Sequence, residues 1–414
     1  MWRCRSGLYC CNSCWRAGVA ATPPPRNRKL AAMKFAHTIA IATFLAGCVA
    51  QVAWARTWRV ELNGSGDFRD IQPAVEAASS GDTIRIGPGR FQQLHQIVAP
   101  AWTEETIVAV TKDNLTFIGA GAEQTILGMT SYYAPEGRFP KVICSVDSHV
   151  GAISGLTIEN MKTGIYWWQG TLDVHDCVFR HFGAGIVCWI DGGSIRDCQF
   201  EISNDGKALT PELTNTLIVD SCSFLGYGQG FTSGASAHNI NFSNCEFRDN
   251  RTAMVYDRWS TGTIENTTIV NSIFAGLMVT YNSQVNMVGV RINGGQYGLF
   301  VSGGSVVTGE NVILEGTTGE SLYTSSESHV TINNSHILPA SGLGVGSHGY
   351  FGAPVLLDLS GNYWGTTSTD LIDSMITDGV DDPLVHCTVQ YLPIANGPVP
   401  TESTSWGDLK ALFR

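Results

Sequence analysis

The chain has 414 residues, 43% of them hydrophobic, 15% charged and 10% aromatic, with 46 Gly and 12 Cys. That is enough to bury a large core, and it excludes a disordered polymer. Residues 1–55 carry seven Lys or Arg and no acid, so the overall charge of −11 conceals a body, 56–414, of 18 basic against 36 acidic residues, net −18, which repels nucleic acid and anionic surfaces.

Residues 1–32 contain Cys4, Cys10, Cys11 and Cys14 without the second Cys pair or His set of a zinc site. Met33-Lys34 then opens a basic start, an apolar run from Ile39 to Val52, and Ala53-Trp54-Ala55, the three parts of a secretory signal. This predicts an exported, extracytoplasmic protein: 1–32 a non-native extension, 33–55 a signal peptide cleaved after Ala55. Leu45-Ala46-Gly47-Cys48 also matches a lipoprotein signal at 45–48, so the alternative is a lipid anchor at Cys48. The run is short and broken by Gly47 and Gln51, so no transmembrane span is expected.

After Gly64-Ser65-Gly66-Asp67-Phe68, Ile71, Ala74, Val75 and Ala78 share one helical face, with Asp70 as N-cap and Pro73 in the first turn. Gly81 stops this helix and Thr83–Ile86 reads as the first strand. The helix is expected to plug the open end of a stack of strands.

A period of about 22 residues then runs through the chain. Pairs one residue apart recur as Leu156/Ile158, Cys177/Phe179, Cys198/Phe200, Cys222/Phe224, Cys245/Phe247, Thr267/Ile269, Val290/Ile292, Val312/Leu314 and Ser335/Ile337. A turn-former precedes each pair, from Gly155 and Asp176 to Asn311 and Asn334. Seven or eight residues after the second member comes another apolar residue, such as Ile165, Ile186, Phe231 or Met254, usually behind Gly or Ala. Such a unit is too short for a helix pair and alternates like a strand. The physical solution is a coil of three short strands stacked on the next coil at about 4.8 Å, with one continuous core. Cys177, Cys198, Cys222 and Cys245 share one position and should stack as small buried hydrophobes rather than as a metal or disulfide ladder. The coil at 201–215 reads as irregular. Gly361-Asn362-Tyr363-Trp364-Gly365 closes the coils; a cap at 366–396 holds a helix near 370–376 and an extended segment 388–394, and 397–414 is a Pro-containing linker and tail.

These residues carry a resemblance. Gly64 to Pro88 resembles the N-terminal cap of pectin methylesterases and other pectin-lyase-like proteins, and the repeats from about 150 to 365 are similar to right-handed parallel β-helix repeats. Asn362-Tyr363-Trp364-Gly365, with Asp381-Asp382-Pro383, resembles the closing segment of many bacterial β-helix proteins. The resemblance implies an all-β fold: a single-stranded right-handed parallel β-helix over 56–365, of roughly 11–12 coils. The catalytic signatures of these families do not carry over. No Asp-Phe-Ile-Phe-Gly occurs. The nearest strings to the polygalacturonase motifs are Ser347-His348-Gly349 and Asp381-Asp382. Trp189-Ile190-Asp191 is out of phase with the pectate-lyase Trp-Ile-Asp-His, and Gly192 stands in place of His.

A ligand groove in this fold runs along the outer face of one sheet. Alternation from Ile165 and its equivalents puts Tyr166, Trp168, Trp189 and Asp257 outward, and the turns after them offer Asp191, Arg258, Trp259 and Tyr281. Aromatic faces beside carboxylates and a guanidinium suit sugar rings. The reading is therefore a protein that binds, and as a further step processes, a polysaccharide or cell-surface glycan. Binding falls to Tyr166, Trp168, Trp189, Asp257, Trp259 and Tyr281; the catalytic candidates are Asp191, Glu212, Lys207 and Arg258, as a glycoside hydrolase or polysaccharide lyase. Asp191 and Glu212, one coil apart, approach the spacing of a carboxylate pair; Asp191 and Asp257, roughly 14 Å apart, do not. For a lyase, Lys207 or Arg258 would serve as base and Ca²⁺ would offset the charge. No motif calls for any other cofactor, and the Asp378/Asp381/Asp382 cluster reads as a cap feature. His181 and His238 stand alone. The alternative is a non-catalytic surface or adhesion solenoid.

Overall fold

The computed structural model describes residues 55–399 except 100–101, 147–149, 203–204, 227, 326, 341–342 and 350–351. Residues 1–54, where an extension and a signal sequence are expected, and the tail from 400 lie outside the described residues. The rest is a parallel β-solenoid of about 12 turns with about 23 residues per turn. Its strands form three sheets, A, B and C, of 14, 11 and 13 strands. Each coil visits B, then C, then A, as in Thr157–Met161, Thr163–Trp168 and Thr171–His175. Pairing is parallel except where His95–Ala99 turns back on Trp102–Val110 at one end of sheet C.

The repeated pairs occupy sheet B and its approach. Ile158 pairs with Phe179, Phe179 with Phe200, and so on through Phe224, Phe247, Ile269, Ile292 and Leu314 to Ile337. Parallel in-register strands hold like side chains about 4.8 Å apart, and the four phenylalanines accordingly stack at 4.4–4.9 Å, within 10° of parallel. The four cysteines two residues earlier are buried free thiols. Each donates to the carbonyl two residues before it, at 3.2–3.3 Å. The turn-formers before each pair all lie at φ between 46° and 66°, from Asn266 to Gly155. Asn, Asp and Gly visit that region at the lowest cost.

From Gly164 onward, the residue before each inward apolar residue of sheet C is small for a steric reason; in the two earlier coils Ile107 and Val142 hold this place. Gly164 and Ile165 both face the interior: a Cβ on Gly164 would meet Ile158 and Phe179 at 3.2–3.3 Å. The equivalent positions are Gly185, Ala208, Gly230, Ala253 and Gly276. Ala208 also marks a correction. The coil at 201–215 contains a regular strand, Lys207–Pro211, whose Leu209 pairs with Ile186 and Phe231. Of the three residues that lengthen this coil, two fall before Lys207 and one between Pro211 and Ile218, outside the paired strands, so the core register is unbroken.

Helix α1 (Ile71–Ala77) closes one end. The Asp70 side chain accepts from Ile71 N–H at 2.8 Å, and Ile71, Ala74, Val75 and Ala78 are buried. The strand beneath it is Thr57–Val60, one coil before Thr83–Ile86, so Thr83–Ile86 is the second strand of sheet A. Asp82 ties these together, accepting from the backbone N–H groups of Arg56 and Ser79 and from Trp58 Nε1. At the other end the buried Asn362 bonds Ile332 O, Leu359 O and Ser335 N–H. Beyond helix α2 (Thr369–Asp373), Ile376–Thr377 extends sheet C and Cys387–Gln390 extends sheet A.

Candidate functional site

The outward face of sheet C is set by register. Tyr166 pairs with Val187, Val187 with Thr210, and the column continues through Thr232, Val255 and Met278 to Phe300 and Tyr323. Neighbouring Trp168 pairs with Trp189. The Trp189 ring lies 5.1 Å from Trp168 and 5.2 Å from Tyr166, so these three predicted residues form one array. Trp168 is 47% exposed while Trp167 between the outward positions is fully buried. Tyr166 is half-buried because it also packs on Ile97, Ala109 and Cys144, a small outer core under the hairpin of 95–110.

A groove of about 430 Å³ opens beside this array, lined by Glu104, Phe139, Lys141, Lys162, Tyr166 and Val187 among others. Lys141 is its central charge. Its side chain is 7% exposed; Nζ donates to Phe139 O at 2.8 Å, stands 3.8 Å from Glu104 and lies 5.1 Å from the Tyr166 ring centre. Burial pushes the Lys141 ammonium pKa down, against the opposing pull of the Cys144 and Glu104 charges. Burial, then the charges of Cys144, Glu212 and Glu104, pushes the Tyr166 phenol up. Burial also takes the Cys144 thiol up to about 12. Glu104, Lys141 and Lys162 escaped the sequence reading. The first two precede the regular repeats. The pairing of Lys141 with Thr163 is a register fact that no single strand announces.

The remaining candidates divide. Glu212 follows strand Lys207–Pro211, and its N–H bonds Cys188 O, beside Trp189. Lys207 begins the same strand, so roughly 16 Å of extended chain separates the two. Asp191 lies in the next turn, exposed, and accepts from Asn215 Nδ2 at 3.3 Å. Asp257 accepts from Thr280 Oγ1 at 2.6 Å and is 3.4 Å from Arg258 Nε, so each charge already has a partner. Trp259 and Tyr281 are 57% and 62% exposed at left-handed turn positions (φ 64° and 51°) between sheets C and A, away from the three-ring array. Among the described residues no group of three or more His, Cys, Asp or Glu is placed to hold a metal ion, so the Ca²⁺ reading finds no ligand set there. The cap aspartates spend their oxygens on backbone N–H groups: Asp378 on Val380 and Val389, Asp382 on Leu384.

Residues 142–288 match the family model described as "Right handed beta helix region". The chain is a right-handed parallel β-helix. Among solved structures, the A-module of mannuronan C-5 epimerase AlgE6 from Azotobacter vinelandii is similar at 14% identity and TM-score 0.50, covering 78% of this chain and 88% of that one. A pectin methylesterase from carrot is similar at 13% identity and TM-score 0.40, covering 59% and 83%. The catalytic unit of a GH87 α-1,3-glucanase from Streptomyces thermodiastaticus is similar at 13% identity and TM-score 0.44, covering 80% and 66%. No curated protein matches the chain in sequence. The β-helix has no helix among its described residues long and apolar enough to cross a membrane.

Proposed function

We propose that this protein is exported and binds polysaccharide along the outward face of sheet C, at the end that carries Tyr166, Trp168 and Trp189. The observation behind this reading is the three-ring array, with centroids 5.1–5.2 Å apart, beside a groove that offers Lys141, Lys162 and Glu104. Sugar rings present C–H faces to aromatic rings and hydroxyls to charged groups, and this surface supplies both. The likeness to the mannuronan epimerase A-module supports the same substrate class. On a glycan array the wild-type protein is expected to retain at least one polysaccharide, with tenfold or greater loss in Trp189→Ala and in Trp168→Ala. Binding to no glycan, or binding unchanged in both variants, would leave the adhesion solenoid as the better reading.

Lys141 favours a second step. A lysine whose pKa is lowered by burial is nearer to being a neutral base at working pH. On a bound uronate, neutral Nζ would take the proton α to the carboxylate; the electron pair would form the ring double bond as the glycosidic C–O bond breaks, and a proton donor would protonate the leaving oxygen. Absorbance of the unsaturated product tests this. Lys141→Met is expected to abolish it while binding at the Trp189 end persists; a Lys141→Met protein that still forms product would remove Lys141 from the chemistry.

A further inference from the structure

The same sheet face carries a second aromatic assembly six coils further on. The register column from Tyr166 reaches Phe300 and Tyr323 after an uncharged stretch of Val187, Thr210, Thr232, Val255 and Met278. Six coil steps amount to roughly 29 Å. Phe300 and Tyr323 stack at 4.3 Å and 4°, and the His348 ring continues the stack at 4.6 Å and 17°. Tyr297 closes one side, 5.3 Å from Tyr323 and 5.5 Å from Phe300. Gly346, the register partner of Tyr323, has no side chain. The space it leaves is where the Glu320 carboxyl lies, close against the Gly346 backbone.

Glu320 makes this more than a cover for the sheet. Its Oε1 is 2.9 Å from His348 Nε2, while Oε2 is buried and has no hydrogen-bond partner among the described residues. An unpaired buried carboxylate oxygen is costly, and a donor brought by a ligand removes the cost. Burial, then the charges of Glu320 and Tyr323, pushes the Tyr297 phenol up, which keeps it a neutral hydroxyl at the rim.

We propose that Tyr297, Phe300, Tyr323, His348 and Glu320 form a second glycan subsite, which takes an uncharged sugar residue of the same polysaccharide chain bound at the Trp189 end. The sugar packs on the Phe300–Tyr323–His348 stack, and a small rotation of the Glu320 side chain, which is 12% exposed, brings Oε2 out to accept from one of its hydroxyls. A carboxylated sugar is excluded there by the charge of Glu320. The inference rests on the reading that this face binds polysaccharide. It adds where the chain runs and what its distal residue is. Two subsites on one rigid face make the second contact intramolecular, so a chain long enough to span them binds far more tightly than a short one.

The test is a glycan array of neutral and acidic polysaccharides, each printed as a long chain and as its di- to tetrasaccharide fragments. It is probed with wild type, Tyr323→Ala, Tyr323→Phe, Glu320→Gln and Trp189→Ala, with melting curves to confirm folding. Expected is a tenfold or greater loss of long-chain binding in Tyr323→Ala and Glu320→Gln, no loss in Tyr323→Phe, and fragment binding unchanged. Long-chain binding unchanged in both Tyr323→Ala and Glu320→Gln overturns the proposal, as does a wild type that binds no glycan. Loss in Trp189→Ala with neither of those two affected overturns this subsite alone; loss in those two with Trp189→Ala unaffected overturns the assignment of the Trp189 end.

Discussion

Two residue types are held away from their ordinary chemistry by burial, in opposite senses. The thiols of Cys144 and Cys188 are pushed up to about 12, and those of Cys198 and Cys245 also upward. Unfolded thiols titrate near 8.5, so each such cysteine stabilises the fold fully below that value and loses its contribution as pH rises toward the folded pKa. The thiolate is the reactive form, and hydrogen bonds from Cys198 and Cys245 pull the Cys222 thiol down instead. Since all seven described cysteines are buried, none should be alkylated by iodoacetamide in the native state at pH 8, and all seven should be in urea; peptide mass mapping reads both. Native labelling of Cys198 or Cys222 would contradict the closed column. Lys141 behaves in reverse. Its folded pKa lies below the unfolded value near 10.4, so between the two the unfolded chain binds more protons and stability rises with pH. Compared with Lys141→Met, the wild type should gain relative stability across that alkaline window, measured as the difference in urea midpoint at a series of pH values. A difference independent of pH would mean that Lys141 titrates normally.

At the scale of the strand and the turn, the sequence was most readable where one physical demand recurs unchanged. Phe179, Phe200, Phe224 and Phe247 were legible as a column because in-register stacking needs the same residue at the same place. Asp176, Asn244 and Asn311 were legible because each turn needs a residue at positive φ. Leu209 was missed because the longer coil broke the count, although the register did not break. Tyr166, Trp168 and Trp189 could be placed by alternation alone. Glu104 and Lys141 could not, since what brings them to Tyr166 is the pairing of irregular early coils. The column makes a sharp prediction. Phe200→Ala removes a ring stacked on both sides and should cost about 3–5 kcal/mol. Asn244→Gly should be near neutral, while Asn244→Val forces a β-branched residue into the left-handed region and should cost about 1–2 kcal/mol or more. Chemical denaturation of the three variants gives the ranking, and an Asn244→Val protein as stable as Asn244→Gly would show that this turn relaxes.

Over the whole molecule, each coil touches only the coils on either side, so stability is a sum of coil and interface terms rather than a property of one closed core. The interior tolerates this because the columns repeat: Phe247 sits on Ile269 and Ile269 on Ile292, Met254 on Leu277 and Leu277 on Leu299, Ile264 on Met287 and Val285 on Val307. In register terms, Met287 itself pairs with Gly309, and Val307 is the inward neighbour two residues earlier on that strand. Residues 267–289 are one complete coil, with a strand in each sheet (Thr268–Val270, Ala275–Val279, Gln284–Val288). Removing them joins Asn266 to Val290, which restores a turn-former before an apolar pair and brings Phe247 onto Ile292, Met254 onto Leu299 and Ile264 onto the Val307–Gly309 strand. The shortened chain should therefore fold, with the parent's β-type circular dichroism and a cooperative transition within several degrees of it. Removing 267–278 instead takes half a coil, sends every later strand to the wrong sheet and should not yield a folded protein. The whole-coil deletion also shortens the Tyr166-to-Phe300 run by one step, about 4.8 Å; it keeps every proposed binding residue of the two aromatic assemblies but removes Phe274, whose ring packs on Tyr297 and Phe300. A polysaccharide that spans the two ends should then bind with an altered length requirement rather than be lost. Failure of the whole-coil deletion to fold, with the half-coil deletion no worse, would show that the coils are not interchangeable units and that the core depends on particular neighbours.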